Sequence, residues 1–62
     1  MAMNKDWMVG YVEGENDAQT MHPDSIQQKI VDLTGDPQRS EDYVDGYCQG
    51  VQDYIKGVQQ ND

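Results

Sequence analysis

The chain has 62 residues, of which twelve are Asp or Glu and four are Lys or Arg, giving a formal net charge of −8. A domain of this length buries only about 60% of the surface of its unfolded chain, so one small domain is expected. The charge balance excludes direct binding to DNA, RNA or an anionic membrane, because affinity for phosphate requires clustered cations.

The first predicted helix covers residues 5–20. Its apolar and small residues recur at steps of four, three, four and three, which is the spacing of one helical face. They are Trp7, Tyr11, Gly14, Ala18 and Met21. The helix is expected to end before Pro23, because a proline disfavours helical geometry at the residue that precedes it.

The second predicted helix is short and covers residues 25–34. The sequence offers two alternative capping boxes for the start of this helix, Ser25 with Gln28 or Asp24 with Gln27. Gly35 suits the left-handed residue that often follows the end of a helix. The apolar face of this helix consists of Ile26, Ile30 and Leu33.

The third predicted helix covers residues 40–59, with Ser40 as its N-cap. It carries two adjoining apolar stripes, a wider arc than a helix with a single neighbour requires. We therefore expect it to contact two partners. The first stripe contains Tyr43, Tyr47, Gly50 and Tyr54, and the second contains Val44, Cys48, Val51, Ile55 and Val58.

One frame, Asp-aromatic-x-x-Gly-Tyr-x-x-Gly-x-x-Asp, occurs at residues 6–17 and again at 42–53. Each glycine inside a helix costs about 1 kcal/mol relative to alanine, so four of them need a compensating interaction. Close approach of two helix backbones is the favoured explanation, within one chain or across a dimer axis. Helix bending and room for a ligand are the alternatives. The predicted packing residues are Trp7, Gly10, Tyr11, Gly14, Tyr43, Gly46, Tyr47, Gly50 and Tyr54.

The carboxylates of the repeat frame form the candidate binding site. On the first helix, three of them project within about 40° of one another. This pattern is typical of solvated helix faces. It also fits an acidic ridge that imitates the charges of a nucleic-acid backbone and occupies a basic cleft of another protein. The candidate partner-binding residues are Asp6, Glu13, Asp17, Asp42, Asp45 and Asp53.

Catalysis, metals and cofactors are not predicted. One cysteine and one histidine leave no internal disulfide and no cluster for a metal. Cys48 lies on the apolar arc and His22 in a turn, and no glycine-rich phosphate loop is present. Small domains without disulfides or metals are commonly stabilised by oligomerisation, so we expect a homodimer. The absence of a long apolar run predicts a cytoplasmic location without membrane contact.

These observations predict one all-α domain over residues 1–62, with two longer helices packed antiparallel, a short helix between them, and completion of the bundle by dimerisation. The predicted function is that of a small acidic protein-binding module. In its sharper form it is an inhibitor of the phage or mobile-element type, whose acidic helical face occupies the basic surface of a nuclease or another nucleic-acid-binding protein. The alternative is a homo-oligomeric assembly protein held by glycine-mediated helix packing. A small ligand bound beside the glycines is a third option.

Overall fold

The computed structural model describes residues 5–59, and of Gln59 only the backbone. Three helices account for most of this range: α1 spans Lys5–Thr20, α2 spans Pro23–Thr34 and α3 spans Glu41–Gln59. The prediction of an all-α chain with three helices is confirmed, and the described residues contain no strand.

The last residue of α2, Thr34, is as predicted, but the start of the helix and its C-cap differ from the prediction. Pro23 begins the helix, two residues early, since its missing N–H costs nothing in the first turn. The N-cap is the imidazole of His22, whose Nδ1 accepts the backbone N–H of Asp24 at 3.1 Å, so neither predicted capping box is used. Gly35 has φ −90° and ψ 0°, not left-handed geometry, and its N–H donates to the carbonyl of Val31 at 3.2 Å.

The start of α3 is as predicted. The hydroxyl of Ser40 accepts the backbone N–H of Tyr43 at 3.1 Å, which satisfies one of the unpaired donors of the first turn. The same hydroxyl donates to Asp6 Oδ2 at 3.1 Å. This N-cap therefore also joins the start of α3 to the start of α1.

The two longer helices pack against each other along their lengths, as predicted, but they run parallel. The backbone contacts advance in the same direction along both helices, from Trp7 against Gly46 to Tyr11 against Gly50. The antiparallel prediction is wrong because α2 is long enough to reverse the chain. Its 12 residues carry the backbone about 18 Å, back towards the end at which α1 began.

Parallel packing makes the two copies of the repeat frame equivalent in space. The carbonyl oxygen of Tyr43 faces Gly10, and the carbonyl oxygen of Trp7, at the same place in the other copy, faces Gly46. Exchanging residue i with residue i + 36 thus converts one contact into another. The helices α1 and α3 are related by an approximate two-fold axis that runs along the pair.

The helix α2 covers one side of this pair. Its two buried residues, Ile26 and Leu33, form the core with Tyr43, Tyr47 and Val51 of α3. The helix α3 therefore contacts both α1 and α2, which confirms the expectation drawn from its wide apolar arc. The outer part of that arc is not covered in the same way, since 41% of Ile55 and 55% of Val58 are exposed.

Candidate functional site

The four glycines of the repeat frame lie where the backbones of α1 and α3 meet. All four are buried, and a Cβ added to any one would lie 2.1–2.2 Å from a carbonyl oxygen of the other helix. In each glycine a Cα hydrogen points at that carbonyl oxygen instead, and such Cα–H···O contacts recur where helices pack closely. The geometry is that of close packing, and it leaves no room for a ligand between the backbones.

We call the side of the α1–α3 pair that α2 covers the closed side, formed by Glu13, Asp17, Tyr43 and Tyr47. Tyr47 is fully buried, and its hydroxyl donates to Asp17 Oδ2 at 2.6 Å. The ammonium of Lys29, from α2, donates to the same oxygen at 2.7 Å and lies 5.2 Å from the centre of the Tyr47 ring. One lysine thus neutralises a carboxylate and covers an aromatic ring.

The second tyrosine of the closed side repeats this arrangement. The hydroxyl of Tyr43 donates to the carboxylate of Glu13 on α1. The guanidinium of Arg39, from the loop between α2 and α3, lies 4.6 Å from the centre of the Tyr43 ring. The Tyr43 and Tyr47 rings stack with their centres 6.5 Å apart. Each closed-side tyrosine therefore has a carboxylate at its hydroxyl and a cation at its face.

We call the opposite side of the pair the open side, formed by Trp7, Tyr11, Asp45 and Asp53. The Trp7 indole donates to Asp45 Oδ2 at 3.0 Å, and the Tyr11 hydroxyl donates to Asp53 Oδ2 at 2.6 Å. The other oxygen of Asp53 accepts the side-chain amide of Gln49 at 2.9 Å. The Trp7 and Tyr11 rings stack with their centres 5.2 Å apart. The open side thus carries its own stacked aromatic pair bound to carboxylates.

These hydrogen bonds shift the titration of both partners. For Asp17, burial raises the pKa, but the hydrogen bonds from Lys29 and Tyr47 outweigh it and lower the pKa below its usual value. The hydrogen bond from Tyr11, followed by that from Gln49, lowers the pKa of Asp53. Both aspartates are therefore charged at neutral pH. Their stabilising contribution is present above the unfolded pKa of about 3.9 and is lost as the pH falls through the lowered value.

The tyrosine pKa values move in the opposite direction. The hydrogen bond to Asp53 is the main cause that raises the pKa of Tyr11 to about 12. Burial, followed by the bond to Glu13, raises the pKa of Tyr43 to about 12. A phenol that donates to a carboxylate must keep its proton, so ionisation would replace an attraction by a repulsion.

We expect the stability of the protein to fall between about pH 10 and about pH 12. Tyrosines in the unfolded chain ionise near pH 10, whereas Tyr11 and Tyr43 ionise near 12 in the fold. The stability that these two tyrosines contribute is therefore fully present below their pKa in the unfolded chain, and it is lost as the pH rises through their pKa in the fold. Urea unfolding followed by circular dichroism, at about pH 8 and about pH 11, measures the loss. Tyr11→Phe should show a smaller loss, and a midpoint that does not move with pH would contradict the prediction.

Predicted partner-binding carboxylates of both repeat copies accept hydrogen bonds across the helix pair. They are Asp6, Glu13, Asp17, Asp45 and Asp53. Each joins α1 to α3 or to its N-cap, so each is more than a solvated charge. Asp42, the sixth predicted residue, is exposed in the first turn of α3.

Sequence reasoning missed the roles of Lys29 and Arg39, since neither lies in the repeat frame. It also missed the pairing within the frame: the Tyr of each copy donates to the final Asp of the other. The fixed order of Tyr and Asp in both copies was the signal for this pairing. Tyr54, predicted to pack, is half-buried.

Cys48 is half-buried, and burial, then the charge of Asp45, raises the pKa of its thiol, so little thiolate forms at neutral pH. Among residues 5–59, no three His, Cys, Asp or Glu side chains are grouped so as to hold a metal ion. Within the same range, each helix is too short or too polar to cross a membrane.

The chain was also compared with known proteins. No protein-family model matches it, and neither a curated protein nor a solved structure matches it at a significant level.

Proposed function

We propose that this chain is an acidic protein-binding module that acts as a stoichiometric inhibitor, of the kind that phages and mobile elements encode. Its helix pair would occupy the basic surface of a nuclease or another nucleic-acid-binding protein. The observation that supports this proposal is the fixing of the carboxylates. On the open side, Asp45 and Asp53 are each held by a hydrogen bond from an aromatic side chain of the opposite helix, whereas Asp17 is already paired with Lys29.

Fixed carboxylates suit the imitation of a phosphate backbone. A surface side chain that becomes immobile on binding loses about 0.5–1.5 kcal/mol of conformational free energy. A carboxylate that the fold already holds in place avoids part of that loss. The net charge of −8 also attracts a basic partner over several ångströms and accelerates encounter at low salt.

Affinity capture with competition by nucleic acid tests the proposal. The immobilised protein is exposed to host lysate with and without an excess of double-stranded DNA, at low and at high salt. We expect a captured protein that DNA and salt both displace, since the carboxylates and the phosphates would compete for the same cations. Capture that neither DNA nor salt affects would contradict the proposal.

A matched pair of charge reversals locates the binding face. Asp42 lies in the first turn of α3 and Asp24 in the first turn of α2, and both are exposed. Asp42→Lys and Asp24→Lys change the net charge equally, so non-specific attraction would respond equally to both. We expect Asp42→Lys to weaken partner binding and slow association more strongly than Asp24→Lys. Equal effects would show that net charge alone matters and would remove the proposed face.

The alternative, an assembly protein held by glycine packing between copies, loses its main support. Gly10, Gly14, Gly46 and Gly50 are already covered within one chain. The homodimer and the cytoplasmic location remain predictions. Sedimentation across a range of concentrations tests the first.

A further inference from the structure

A groove of about 400 Å³ follows the open side of the helix pair. It is lined by Trp7, Met8, Tyr11, Val12 and Asp53. The apolar residues of this lining are unusually exposed, with 46% of Met8 and 53% of Val12 accessible to solvent. The groove therefore combines an apolar strip, an aromatic pair and a carboxylate.

The two-fold relation between the repeat copies allows the open side to be compared with the closed side, which α2 covers. The closed-side residues equivalent to Met8, Tyr11 and Asp53 are Val44, Tyr47 and Asp17. Val44 packs against the core cluster that includes two residues of α2. Lys29 of α2 donates to Asp17 and lies over the Tyr47 ring. One side of the pair already binds an amphipathic helix, through an apolar strip and a single lysine.

The open side is the more acidic of the two. Glu15 stands at the position that corresponds to the buried Val51 of the closed side. Asp53 lines the groove, and Asp45 accepts the indole N–H of Trp7, which also lines it. Lys56 is a neighbouring cation, close enough to help lower the pKa of Asp53. Asp45, Asp53 and Glu15 outnumber the cations nearby, which are Lys56 and, beside Met8 and Val12, Lys5, so the groove favours an occupant more basic than α2.

We propose that the open-side groove binds an amphipathic helix of a basic partner protein, with apolar residues over Met8 and Val12 and a Lys or Arg at Asp53 and Tyr11. This inference rests on the proposed function, because it assumes a basic protein partner. It goes further by naming the element that is recognised and the side of the molecule that recognises it. A second copy is a poorer occupant, because each copy carries a charge of −8.

A helical peptide of defined composition tests the groove directly. The probe is a synthetic amphipathic peptide of about 18 residues, long enough for five helical turns, with leucine on one face and lysines flanking that face. The control peptide has glutamate in place of each lysine. Trp7 is the only tryptophan of the chain and lines the groove, so its fluorescence reports occupancy. We expect a saturable change with the lysine peptide and at least tenfold weaker binding of the control.

Two protein variants separate groove binding from general charge attraction. Val12→Glu places a carboxylate inside the groove, and Val31→Glu makes the same change on α2, where 58% of the side chain is exposed. Non-specific attraction by negative charge would tighten binding of the lysine peptide to both variants. We expect Val12→Glu to weaken it at least tenfold and Val31→Glu to leave it unchanged or slightly tighter. Circular dichroism of both variants verifies that they fold.

Equal peptide affinity for the two variants would overturn the inference. So would a wild-type dimer that Val12→Glu dissociates, with no peptide bound, since the groove would then be a contact between copies. If Val12→Glu still captures a partner that DNA displaces, the groove inference fails while the proposed function stands. If the peptide enters the groove but no captured protein responds to DNA, the inhibitor proposal fails while the groove stands.

Discussion

Gly14→Ala and Gly50→Ala should each abolish the native fold. In both variants the new Cβ would lie 2.2 Å from a backbone carbonyl oxygen, of Tyr47 for Gly14 and of Tyr11 for Gly50. Overpacking typically costs about 1–3 kcal/mol when neighbouring side chains can move aside. A carbonyl oxygen cannot rotate away, so the helices must separate. A 62-residue domain has only about 3–9 kcal/mol of stability in total, and separation also breaks the hydrogen bonds between the helices.

Gly57→Ala is the matched control, because it makes the same change in α3 where the new Cβ would point into open space and not at another helix. Alanine is favoured over glycine in a helix by up to about 1 kcal/mol, so this variant should be at least as stable as the parent. Circular dichroism and urea unfolding measure all three variants. A Gly14→Ala protein that unfolds at the parent midpoint would show that the helices do not need this contact.

The second large effect is expected at Tyr47, the fully buried ring of the closed side. Tyr47→Ala removes the ring and leaves a cavity among the core residues, at a cost of about 3–5 kcal/mol. That loss is comparable with the whole stability of the domain, so most of the chain should be unfolded. Tyr47→Phe keeps the ring and removes only the hydroxyl. It should cost about 1–3 kcal/mol, because Asp17 then depends on Lys29 alone.

Tyr11→Phe provides the comparison for Tyr47→Phe. It deletes the equivalent hydrogen bond at the symmetry-related position, but on the open side, where solvent replaces the lost partner. Its effect on the midpoint of urea unfolding should be smaller than that of Tyr47→Phe. Equal losses at the two sites would mean that the cover provided by α2 does not strengthen the Tyr47–Asp17 bond.

The α1–α3 pair has the small-x-x-x-small spacing that brings parallel helices together in membranes. In this chain the glycines provide the same close approach, but the edges of the contact are polar. On the closed side those edges are the Tyr43 and Tyr47 hydroxyls with their carboxylates, and on the open side Trp7 and Tyr11 have the same role. In water, these hydrogen bonds stabilise a helix–helix contact that buries little apolar side-chain surface.

Much of the fold follows from short-range patterns in the sequence. The three helices were predictable because apolar spacing and capping groups act within a few residues, as Ser40 does at the start of α3. The pairing of α1 with α3 was predictable for an energetic reason. Four helical glycines are too costly to exist without a contact that needs them, and only another helix carries the same frame.

The direction of the pair was decided by the tertiary structure alone. It depends on where α2 begins and how far it carries the chain, and Pro23 with the His22 cap starts that helix earlier than its sequence suggested. The same holds for the carboxylates. The spacing of Asp17 and Asp53 places each of them on a helix face. Whether that face contacts water or a tyrosine depends on distant parts of the chain, because Tyr47 lies 30 positions from Asp17 and Tyr11 lies 42 positions from Asp53. Local spacing determines which residues share a face, whereas the path of the whole chain determines what that face contacts.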